Sequence, residues 1–338
     1  MRSFWKSATG LTGLLVLAVT GCSPGSGTAP DAASAAPAPT ASTADSSTSY
    51  APYVSATTAY GTDSAGSPAA YNLAFVISDG AGCAPKWGGD RAVDDTAVTN
   101  RIGALKKSGA AVRVSFGGAS GKELATVCDS ASALAEAYGR ALDAAGSSLA
   151  DFDIEGGTLG DSASVARRSQ AIELLQKERP DLRVTLTLPV MPDGLDSDGL
   201  ALLASANQYD VQVSTVNLMT MNYGESYTGD MGDYAVTAAT AAHTQLKRVF
   251  GLSDAAAWRG MALTSMIGVN DIAGETFTLA DAARVRSFAE EKEIAWVSMW
   301  SAFRDRQCAK GGSAGSDAAT DCSGVTQEAG AFGRALAG

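Results

Sequence analysis

Histidine is almost absent from this sequence, since His243 is the only one among 338 residues. A Ser-His-Asp triad, a histidine-rich metal site and most histidine general bases would all depend on that one side chain. It lies in the stretch 240–244, inside a predicted helix, and we interpret it as a structural residue. If the chain is an enzyme, carboxylates are therefore its leading proton-transfer groups.

A surplus of basic residues is also missing. The chain has 25 Lys and Arg residues against 36 Asp and Glu residues, which gives a formal net charge of −11. Binding to nucleic acid or to an anionic membrane surface would need a basic patch, so we expect neither partner. Hydrophobic residues make up 46% of the chain and charged residues 18%, which allows a large buried core.

The apolar run near the start of the chain, residues 11–19, is too short to span a bilayer. It follows two basic residues and is closed by Val19-Thr20-Gly21-Cys22. We predict that residues 1–22 are an export signal whose end resembles a bacterial lipoprotein box, with Cys22 as the lipidated first residue of the mature chain. Ordinary cleavage with an incidental Cys22 is the alternative. We expect the protein outside the cell, anchored to the outer face of the bacterial membrane through Cys22, or otherwise secreted.

The chain after the signal divides into a tether and a folded domain. Residues 23–48 are almost entirely Ser, Ala, Thr, Pro, Gly and Asp, a composition that cannot bury a core and indicates a flexible tether. Residues 49–338 have the pattern of one catalytic-size domain, somewhat larger than the usual (β/α)₈ barrel.

Strand-like apolar runs alternate with helical stretches through this domain. The eight predicted strands are 50–55, 72–78, 111–117, 149–155, 183–190, 213–223, 261–269 and 295–303. The predicted helices are 95–107, 121–145, 162–179, 197–208, 233–249, 279–292 and 326–336, and only the connection 56–71 lacks one. Eight alternating units predict an α/β fold, a closed (β/α)₈ TIM barrel. No Gly-x-Gly-x-x-Gly follows the first strands, so a dinucleotide-binding fold is not supported.

Cysteine is scarce but even in number once Cys22 is set aside. The four remaining cysteines permit three disulfide pairings. We expect Cys83–Cys128, because the two loops are neighbours in a barrel, and Cys308–Cys322 around the loop after the last strand. A zinc site is the weaker alternative, because there is no Cys-x-x-Cys pair.

The stretch Asp151-Phe152-Asp153-Ile154-Glu155 carries the most chemistry. On a strand, alternate side chains share a face, so the three carboxyls, here called the acidic row, lie about 6.5–7 Å apart. Like charges this close push pKa values apart, so we expect one carboxyl to keep its proton near neutral pH. A solvated acidic strand and half of a divalent-cation site are the alternatives.

Three other strands end in residues suited to a ligand cleft. They are Ser115-Phe116-Gly117-Gly118, Met219-Thr220-Met221-Asn222-Tyr223 and the alternating set Trp296, Ser298 and Trp300. In a (β/α)₈ barrel these ends meet on one face, where glycines let a bulky ligand approach. An apolar ring beside carboxyls favours a sugar, whose C–H faces stack on aromatic planes.

These motifs together resemble those of the chitinases of glycoside hydrolase family 18, over essentially all of residues 50–338. Ser115-Phe116-Gly117-Gly118 matches the family's S-x-G-G strand, the acidic row its D-x-x-D-x-D-x-E strand, Met221-Asn222-Tyr223 its M-x-Y strand, and Trp300 its eighth-strand tryptophan. One departure is that Ser148 stands at the first acidic position of the long motif. Since that aspartate helps tune the row in the family, its loss leaves the pH optimum open.

The resemblance implies a role for each carboxyl. Glu155 would protonate the leaving oxygen and later activate water, and Asp153 would orient the substrate's 2-acetamido group, which is itself the nucleophile. Asp151 would hold Asp153 and adjust its protonation, and Tyr223 would donate to the acetamido carbonyl. Asp153 and Glu155 come from one strand, so they cannot flank a glycosidic bond from opposite sides as the usual acid and nucleophile do.

The remaining candidate residues are predicted to bind the sugar. Met221 and Trp300 would form the floor under it, Asn222 would bind a hydroxyl or the acetamido group, and Ser115 and Gly117 would border the cleft. Trp87 would stack a neighbouring sugar, and packing inside its own loop is an equally good alternative for that side chain. This list adds no metal ligand and no cofactor.

The resemblance therefore implies a monomeric, cofactor-free chitinase that cuts β-1,4 bonds between N-acetylglucosamine units with retention. Its partners would be chitin or N-acetylglucosamine oligosaccharides. An endo-β-N-acetylglucosaminidase acting on glycans would use the same fold and mechanism. A chitin-binding lectin on the same barrel, or a metal-dependent hydrolase, are alternatives from other classes.

Overall fold

The computed structural model describes residues 48–309 and 321–338. The predicted signal with Cys22 and the tether up to residue 47 lie outside the described residues. The strands are β1 Ser49–Tyr50, β2 Tyr53–Ser55, β3 Ala70–Ser78, β4 Pro85–Trp87, β5 Arg91–Ala92, β6 Ala111–Gly117, β7 Leu149–Asp153, β8 Arg183–Pro189, β9 Val213–Met219, β10 Met261–Met266, β11 Gly268–Val269, β12 Thr276–Phe277 and β13 Trp296–Trp300.

The described helices follow most of these strands. They are α1 Thr96–Lys106, α2 Leu124–Val127, α3 Ala131–Ala145, α4 Ser162–Glu178, α5 Ser197–Gln208, α6 Met231–Phe250, α7 Asp254–Arg259, α8 Leu279–Glu291 and α9 Ala331–Ala337, with 3₁₀ turns at Gly156–Thr158 and Ala302–Arg304. Most of them begin at an Asp, Ser or Thr whose side chain accepts backbone N–H groups of the first turn, as Asp95 and Asp196 do.

The parallel strands β3, β6, β7, β8, β9, β10 and β13 run side by side in that order. The segment 49–55 closes the ring. Its first half, β1, pairs in parallel with β13, and its second half, β2, pairs in parallel with β3. Between them Ala51 N donates to Val297 O at 2.9 Å and Pro52 O accepts from Asn72 N at 2.9 Å. One strand split at a proline therefore joins both edges, and the predicted eight-stranded barrel is confirmed.

Phe152 and Ile154, which alternate with the acidic row, pack outside the barrel. The Phe152 ring lies 5.3 Å from Phe116 on β6 and 4.9 Å from Tyr138 on α3, and both Phe152 and Ile154 are fully buried. This covering layer fixes β7, so the alternate side chains, Asp151 and Asp153, point into the barrel.

Two antiparallel strand pairs are added to the barrel. A hairpin of β4 and β5 extends antiparallel from the end of β3, and β11 and β12 form a separate antiparallel pair after β10. The disulfide Cys83–Cys128 ties the hairpin region to the end of α2, and Cys308–Cys322 closes the loop after β13. Both pairs are those predicted.

Several predicted boundaries need correction. The single predicted helix 121–145 is two helices, because the backbone at Cys128 is extended where the disulfide forms. The last helix begins at Ala331 instead of 326, after Gly330 with a φ of +78°. The fourth strand ends at Asp153 and the sixth at Met219, each shortly before the residues that carry the chemistry.

His243 has the structural role predicted for it. It is buried on α6, its ring stacks on Trp258 at 3.8 Å, and Nε2 lies 3.0 Å from the carbonyl oxygen of Asp254. Over the described ranges, none of the helices has both the length and the apolar character that a bilayer span requires.

Candidate active site

The acidic row lies at the C-terminal end of β7, inside the barrel. Asp151 and Asp153 are the third and fifth residues of the strand and are buried. Glu155 lies just beyond the strand, but its backbone is still extended, with φ −144° and ψ 172°, so the alternation continues through it. Its side chain keeps part of its surface exposed. The row therefore runs from the barrel interior up to its open end.

Asp151 is held by three hydroxyl donors. Its Oδ2 accepts from Tyr53 at 2.8 Å and from Ser115 at 2.5 Å, and its Oδ1 accepts from Thr187 at 2.6 Å. The pKa of Asp151 is raised overall, because burial raises it more than these hydrogen bonds and the charge of the buried Arg113 lower it. Bonds of this kind to a carboxylate are among the stronger ones in proteins.

The network around Asp151 continues across the barrel. Asn217 on β9 donates to Thr187 at 3.0 Å, and its Oδ1 accepts from Thr264 on β10 at 2.9 Å. Strands β2, β6, β7, β8, β9 and β10 thus all contribute to one connected polar layer under the site. Such a fully paired layer fixes the position of Asp151, since any shift would leave a buried polar group without a partner.

Asp153 is the opposite case. Its Oδ1 is buried and makes no hydrogen bond to any described residue. Burial, together with the negative charges of Glu155 and Asp151, raises the pKa of Asp153 well above its ordinary value. Asp153 therefore holds its proton more tightly than an ordinary aspartate, and a positive charge placed beside it by a ligand would favour its ionised form.

Burial also raises the pKa of Glu155, to about 7, and the charge of Asp271 adds to this effect. At this value the side chain is protonated in part of the molecules at neutral pH and ionised in the rest. A general acid that later acts as a general base needs both states within reach.

The two glycines after β6 make room for protein atoms, in addition to the ligand that the sequence analysis expected them to admit. A Cβ on Gly117, where φ is +97°, would lie 2.1 Å from the carbonyl oxygen of Asp153. A Cβ on Gly118 would lie 2.8 Å from the Phe75 ring. Ser115 is fully buried and bonds Asp151. Ser115 and Gly117 therefore help to position the acidic row, and Gly118 makes room for the Phe75 ring.

A loop that follows β10 holds the residues after β9 in place through hydrogen bonds. Asn222 has a φ of +55°, and it both donates to Asp271 Oδ2 at 3.3 Å and accepts from Asp271 N at 3.1 Å. Glu275 accepts from the backbone N–H of Gly224 at 2.8 Å. Asn222 is thus already paired with protein groups, whereas Met221 keeps part of its surface exposed.

Tyr223 is buried, and its hydroxyl lies beside the Thr220 side chain but has no acceptor in the described part of the chain. Its ring lies 5.9 Å from Tyr227 and 5.8 Å from Tyr234. Burial and the charge of Glu275 raise the pKa of Tyr223, so the hydroxyl keeps its proton. It is therefore available as a donor to a bound molecule.

Trp300 has a partner that sequence reasoning missed. Its ring stacks on Phe75 from β3 at 5.5 Å with an interplanar angle of 21°, and it meets Tyr53 edge-on at 5.8 Å. Phe75 and Trp300 are both partly exposed. The floor predicted for Trp300 is thus a pair of aromatic rings, next to the Tyr53 hydroxyl that holds Asp151.

Trp87 has no exposed surface, so the expectation that it stacks a sugar is wrong and the packing alternative is right. It lies in β4, and its Nε1 donates to the carbonyl oxygen of Val93 at 3.2 Å. β4 pairs antiparallel with β3, and the Trp87 ring belongs to the main hydrophobic core.

Ser148 stands just before β7 at the N-terminal end of the barrel, where it is exposed. Asp153 is five positions further along the chain, which corresponds to about 16 Å along a strand. Any effect of this position on the upper carboxyls must therefore pass through the strand or through Asp151. A cavity of about 350 Å³, lined by Ser148, Asp143 and Arg179, opens at the same remote end and has no connection with the acidic row.

The arrangement has the parts of a carboxylate-based glycoside hydrolase: a carboxyl held by three hydroxyls, a buried carboxyl with a raised pKa, a third carboxyl that exchanges its proton near pH 7, and an aromatic floor. Within residues 48–309 and 321–338, no group of three or more His, Cys, Asp or Glu side chains has the arrangement needed to hold a metal ion.

No protein-family model matches the sequence. A probable bifunctional chitinase/lysozyme of Escherichia coli K12 is 35% identical over 275 residues, which are 76% of this chain and 31% of that protein. Endochitinase 11 of Metarhizium anisopliae is 34% identical over 276 residues, which are 76% of this chain and 52% of that protein. The chain thus spans about a third and about half of the lengths of these two relatives.

Solved structures agree with these relatives. The catalytic domain of a hyperthermophilic chitinase from Pyrococcus furiosus superimposes with a TM-score of 0.73 at 28% identity, over 85% of this chain and 93% of that domain. Further structures with the same fold include chitinases of glycoside hydrolase family 18. The chain is therefore similar in sequence to chitinases over about three quarters of its length, and it shares the fold of the family whose motifs it resembles.

Proposed function

We propose that the protein is a retaining chitinase that hydrolyses β-1,4 bonds between N-acetylglucosamine units. One observation carries the proposal. Asp153 and Glu155 lie on one face of one strand, and both have raised pKa values. Two carboxyls on the same strand cannot attack and protonate from opposite faces of the sugar, so the nucleophile must come from the substrate. A 2-acetamido group supplies it.

The first step is proton transfer and ring closure. Glu155 protonates the oxygen of the leaving sugar while the acetamido oxygen attacks the anomeric carbon from the other face. The positive charge that develops on the acetamido nitrogen is balanced by Asp153, whose Oδ1 has no protein partner. Tyr223 donates its unused hydroxyl to the same group.

The second step restores the enzyme. Glu155, now ionised, takes a proton from water, and the water opens the intermediate with net retention at the anomeric carbon. Asp151 stays in place throughout, since three hydroxyls hold it, and its charge acts on Asp153 across the strand. Phe75 and Trp300 support the sugar from below.

The raised pKa of Glu155 favours hydrolysis over binding alone. A lectin gains nothing from a carboxyl whose proton exchanges near pH 7, and burying it costs stability. An endo-β-N-acetylglucosaminidase would share every feature of the acidic row, so only its substrate would distinguish it from a chitinase.

The test is mass spectrometry of the products from a labelled N-acetylglucosamine tetramer and, in parallel, from a high-mannose glycopeptide. Cleavage of the tetramer, with loss of cleavage in the Glu155→Gln variant, is the expected result. Cleavage of the glycopeptide alone would favour the endo-β-N-acetylglucosaminidase. Tight binding of the tetramer with no new reducing ends would favour the lectin.

We propose in addition that the domain acts outside the cell and that a lipid on Cys22 anchors it to the membrane surface. The support is the sequence Val19-Thr20-Gly21-Cys22 after an apolar run, and the two disulfides, which fit an oxidising compartment. Incorporation of labelled fatty acid into the full chain, lost in Cys22→Ala, is expected. A wild-type chain that incorporates none would leave secretion as the alternative.

A further inference from the structure

An arginine on β6 lies inside the barrel, one level below Asp151. Arg113 and Ser115 are alternate residues of this strand, so their side chains share a face. Because Ser115 donates to Asp151 inside the barrel, Arg113 also points inward, about 6.5–7 Å further from the open end. Only 9% of the Arg113 surface is exposed. A buried positive charge thus lies beneath the acidic row.

Two other strands hold the Arg113 guanidinium in place. Its Nη1 donates to Asn72 Oδ1 on β3, and Asn72 Nδ2 in turn donates to Ala51 O at 2.8 Å, in the segment that closes the ring. The guanidinium also lies 4.6 Å from the centre of the Trp296 ring on β13. Both contacts restrict the side chain, since a planar guanidinium that stacks and donates at once has few other orientations.

The groups that hold Arg113 are neutral. Asn72 contributes an amide and Trp296 an aromatic ring, and within residues 48–309 and 321–338 Arg113 makes no ion pair. Burial lowers the pKa of Arg113, but an arginine titrates so far above neutral pH that the group keeps its charge. No partner at contact distance neutralises this charge, so it acts on groups further away.

Asp151 is one of the groups that this charge reaches. Burial raises the pKa of Asp151, and the charge of Arg113 is among the effects that lower it, while the charge of Asp151 raises the pKa of Arg113 in return. Charges at this depth are screened by water and salt far less than charges at the surface. Other ionisable groups on the interior faces around Asp151 are Tyr53 on β2, Asp153 and Glu155 at the end of β7, and Arg183 at the exposed start of β8.

We propose that Arg113 is a positioning residue that acts through Asp151: its charge favours the ionised form of Asp151 and so sets the lower pH limit of catalysis. This inference rests on the proposed function, in which Glu155 transfers the proton and the charge of Asp151 acts on Asp153. A protonated Asp151 would no longer exert that charge. Arg113 lies below the site and contacts no reacting atom. The pH dependence that Ser148 leaves open is thus assigned to a residue outside the four motifs.

The variants are chosen to separate the charge of Arg113 from its packing. Arg113→Met keeps a long side chain that can pack on Trp296, and Arg113→Gln keeps a donor for Asn72, but both remove the charge. Arg113→Lys keeps the charge and loses the planar group. Arg183→Met is the matched control, because it removes the same charge from an exposed arginine of the neighbouring barrel strand β8. Thermal unfolding of each variant reports any loss of packing.

The experiment follows kcat/KM against pH for a 4-nitrophenyl glycoside of two N-acetylglucosamine units. Without the charge, Asp151 binds its proton more tightly, so the acid limb of Arg113→Met and Arg113→Gln should move to higher pH by about one unit, a roughly tenfold loss on that limb. Near the optimum the loss should be less than about threefold. The basic limb, which reports Glu155 further up the row, should move by less. Arg113→Lys and Arg183→Met should keep the acid limb of the wild type.

An acid limb that stays in place in the uncharged variants, with an equal loss at every pH and a lower Tm, would overturn the proposal and leave Arg113 a packing residue. A shift in Arg113→Lys as large as that in Arg113→Gln would overturn it as well, because the charge would not be the cause. If Arg113→Met does not fold, Arg113→Gln beside Arg113→Lys decides alone. Failure of the proposed function looks different, because the wild-type protein would then release nitrophenol at no pH.

Discussion

Asp151 and Asp153 are the same residue type in the acidic row, but their side chains have opposite surroundings. Asp151 and Asp153 are two residues apart on β7 and face the same way, and both are buried. Asp151 accepts three hydroxyl hydrogen bonds, whereas Asp153 Oδ1 accepts none from the described residues. The difference shows that the neighbouring strands, and not β7 itself, decide which carboxyl is a fixed charge and which is free to meet a ligand.

The largest loss of activity is expected at Glu155, which lies at the open end of the acidic row. In Glu155→Gln the shape is kept but the proton is not available, so we expect kcat on N-acetylglucosamine oligomers to fall by about 10²–10⁴-fold. Binding of the oligomer should change little. The matched control is Glu178→Gln, because Glu178 is exposed at the end of α4. Wild-type turnover in Glu155→Gln would remove this residue from the acid role.

The next largest effect should come from Asp153→Asn. An amide cannot balance the positive charge of the acetamido intermediate, so kcat should fall by about 10²-fold. The rate of oligomer hydrolysis at saturating substrate is the measurement. The contrast drawn between Asp151 and Asp153 would be contradicted if Asp153→Asn lowered kcat less than Ser115→Ala or Thr187→Val does.

The donors to Asp151 should matter less, because two remain when one is removed. We expect Ser115→Ala and Thr187→Val each to lower kcat about three- to thirtyfold, and to shift the pH–rate profile, since each lost bond raises the pKa of Asp151 further. Thr185→Val is the control, because Thr185 is a buried threonine two residues away on β8. A loss of Tm without any change in the pH profile would indicate a purely structural network.

The smallest effect should appear in stability. Because the pKa of Glu155 is raised in the folded state, from 4.5 to about 7, its ionisation opposes folding, and stability is lost as the pH rises through this range. The Gln side chain in Glu155→Gln does not ionise, so this variant does not lose stability in this way. Its Tm should therefore exceed that of the wild type by more at pH 8 than at pH 5. A constant difference between the two pH values would contradict the raised pKa.

Much of this architecture could be predicted from the sequence. The eight strands follow from apolar runs that alternate with amphipathic stretches, and the acidic row follows from a period of two along a single strand. Both signals are local, so neither depends on how the chain closes. The disulfide Cys83–Cys128 could be predicted as well, because the barrel makes the loops after its second and third strands neighbours.

What the sequence could not show depends on contacts between distant residues. Thr187 and Tyr53 look like ordinary strand residues, and only the ring places their hydroxyls on Asp151. Asp271 is 116 residues from Glu155 along the chain, in a loop with no motif. Trp87 was ambiguous for the same reason, since an aromatic residue in a Gly- and Pro-containing loop can face either a ligand or the core.

The central claim is that Glu155 donates a proton to the leaving oxygen. The most direct test is to compare how much activity Glu155→Gln loses on substrates with different leaving groups. The first-turnover release of the leaving group by Glu155→Gln should be measured with a 4-nitrophenyl glycoside and with an N-acetylglucosamine tetramer. Nitrophenolate needs little protonation, so the account predicts a much smaller loss for the aryl glycoside than for the tetramer. Equal losses on both substrates would contradict it.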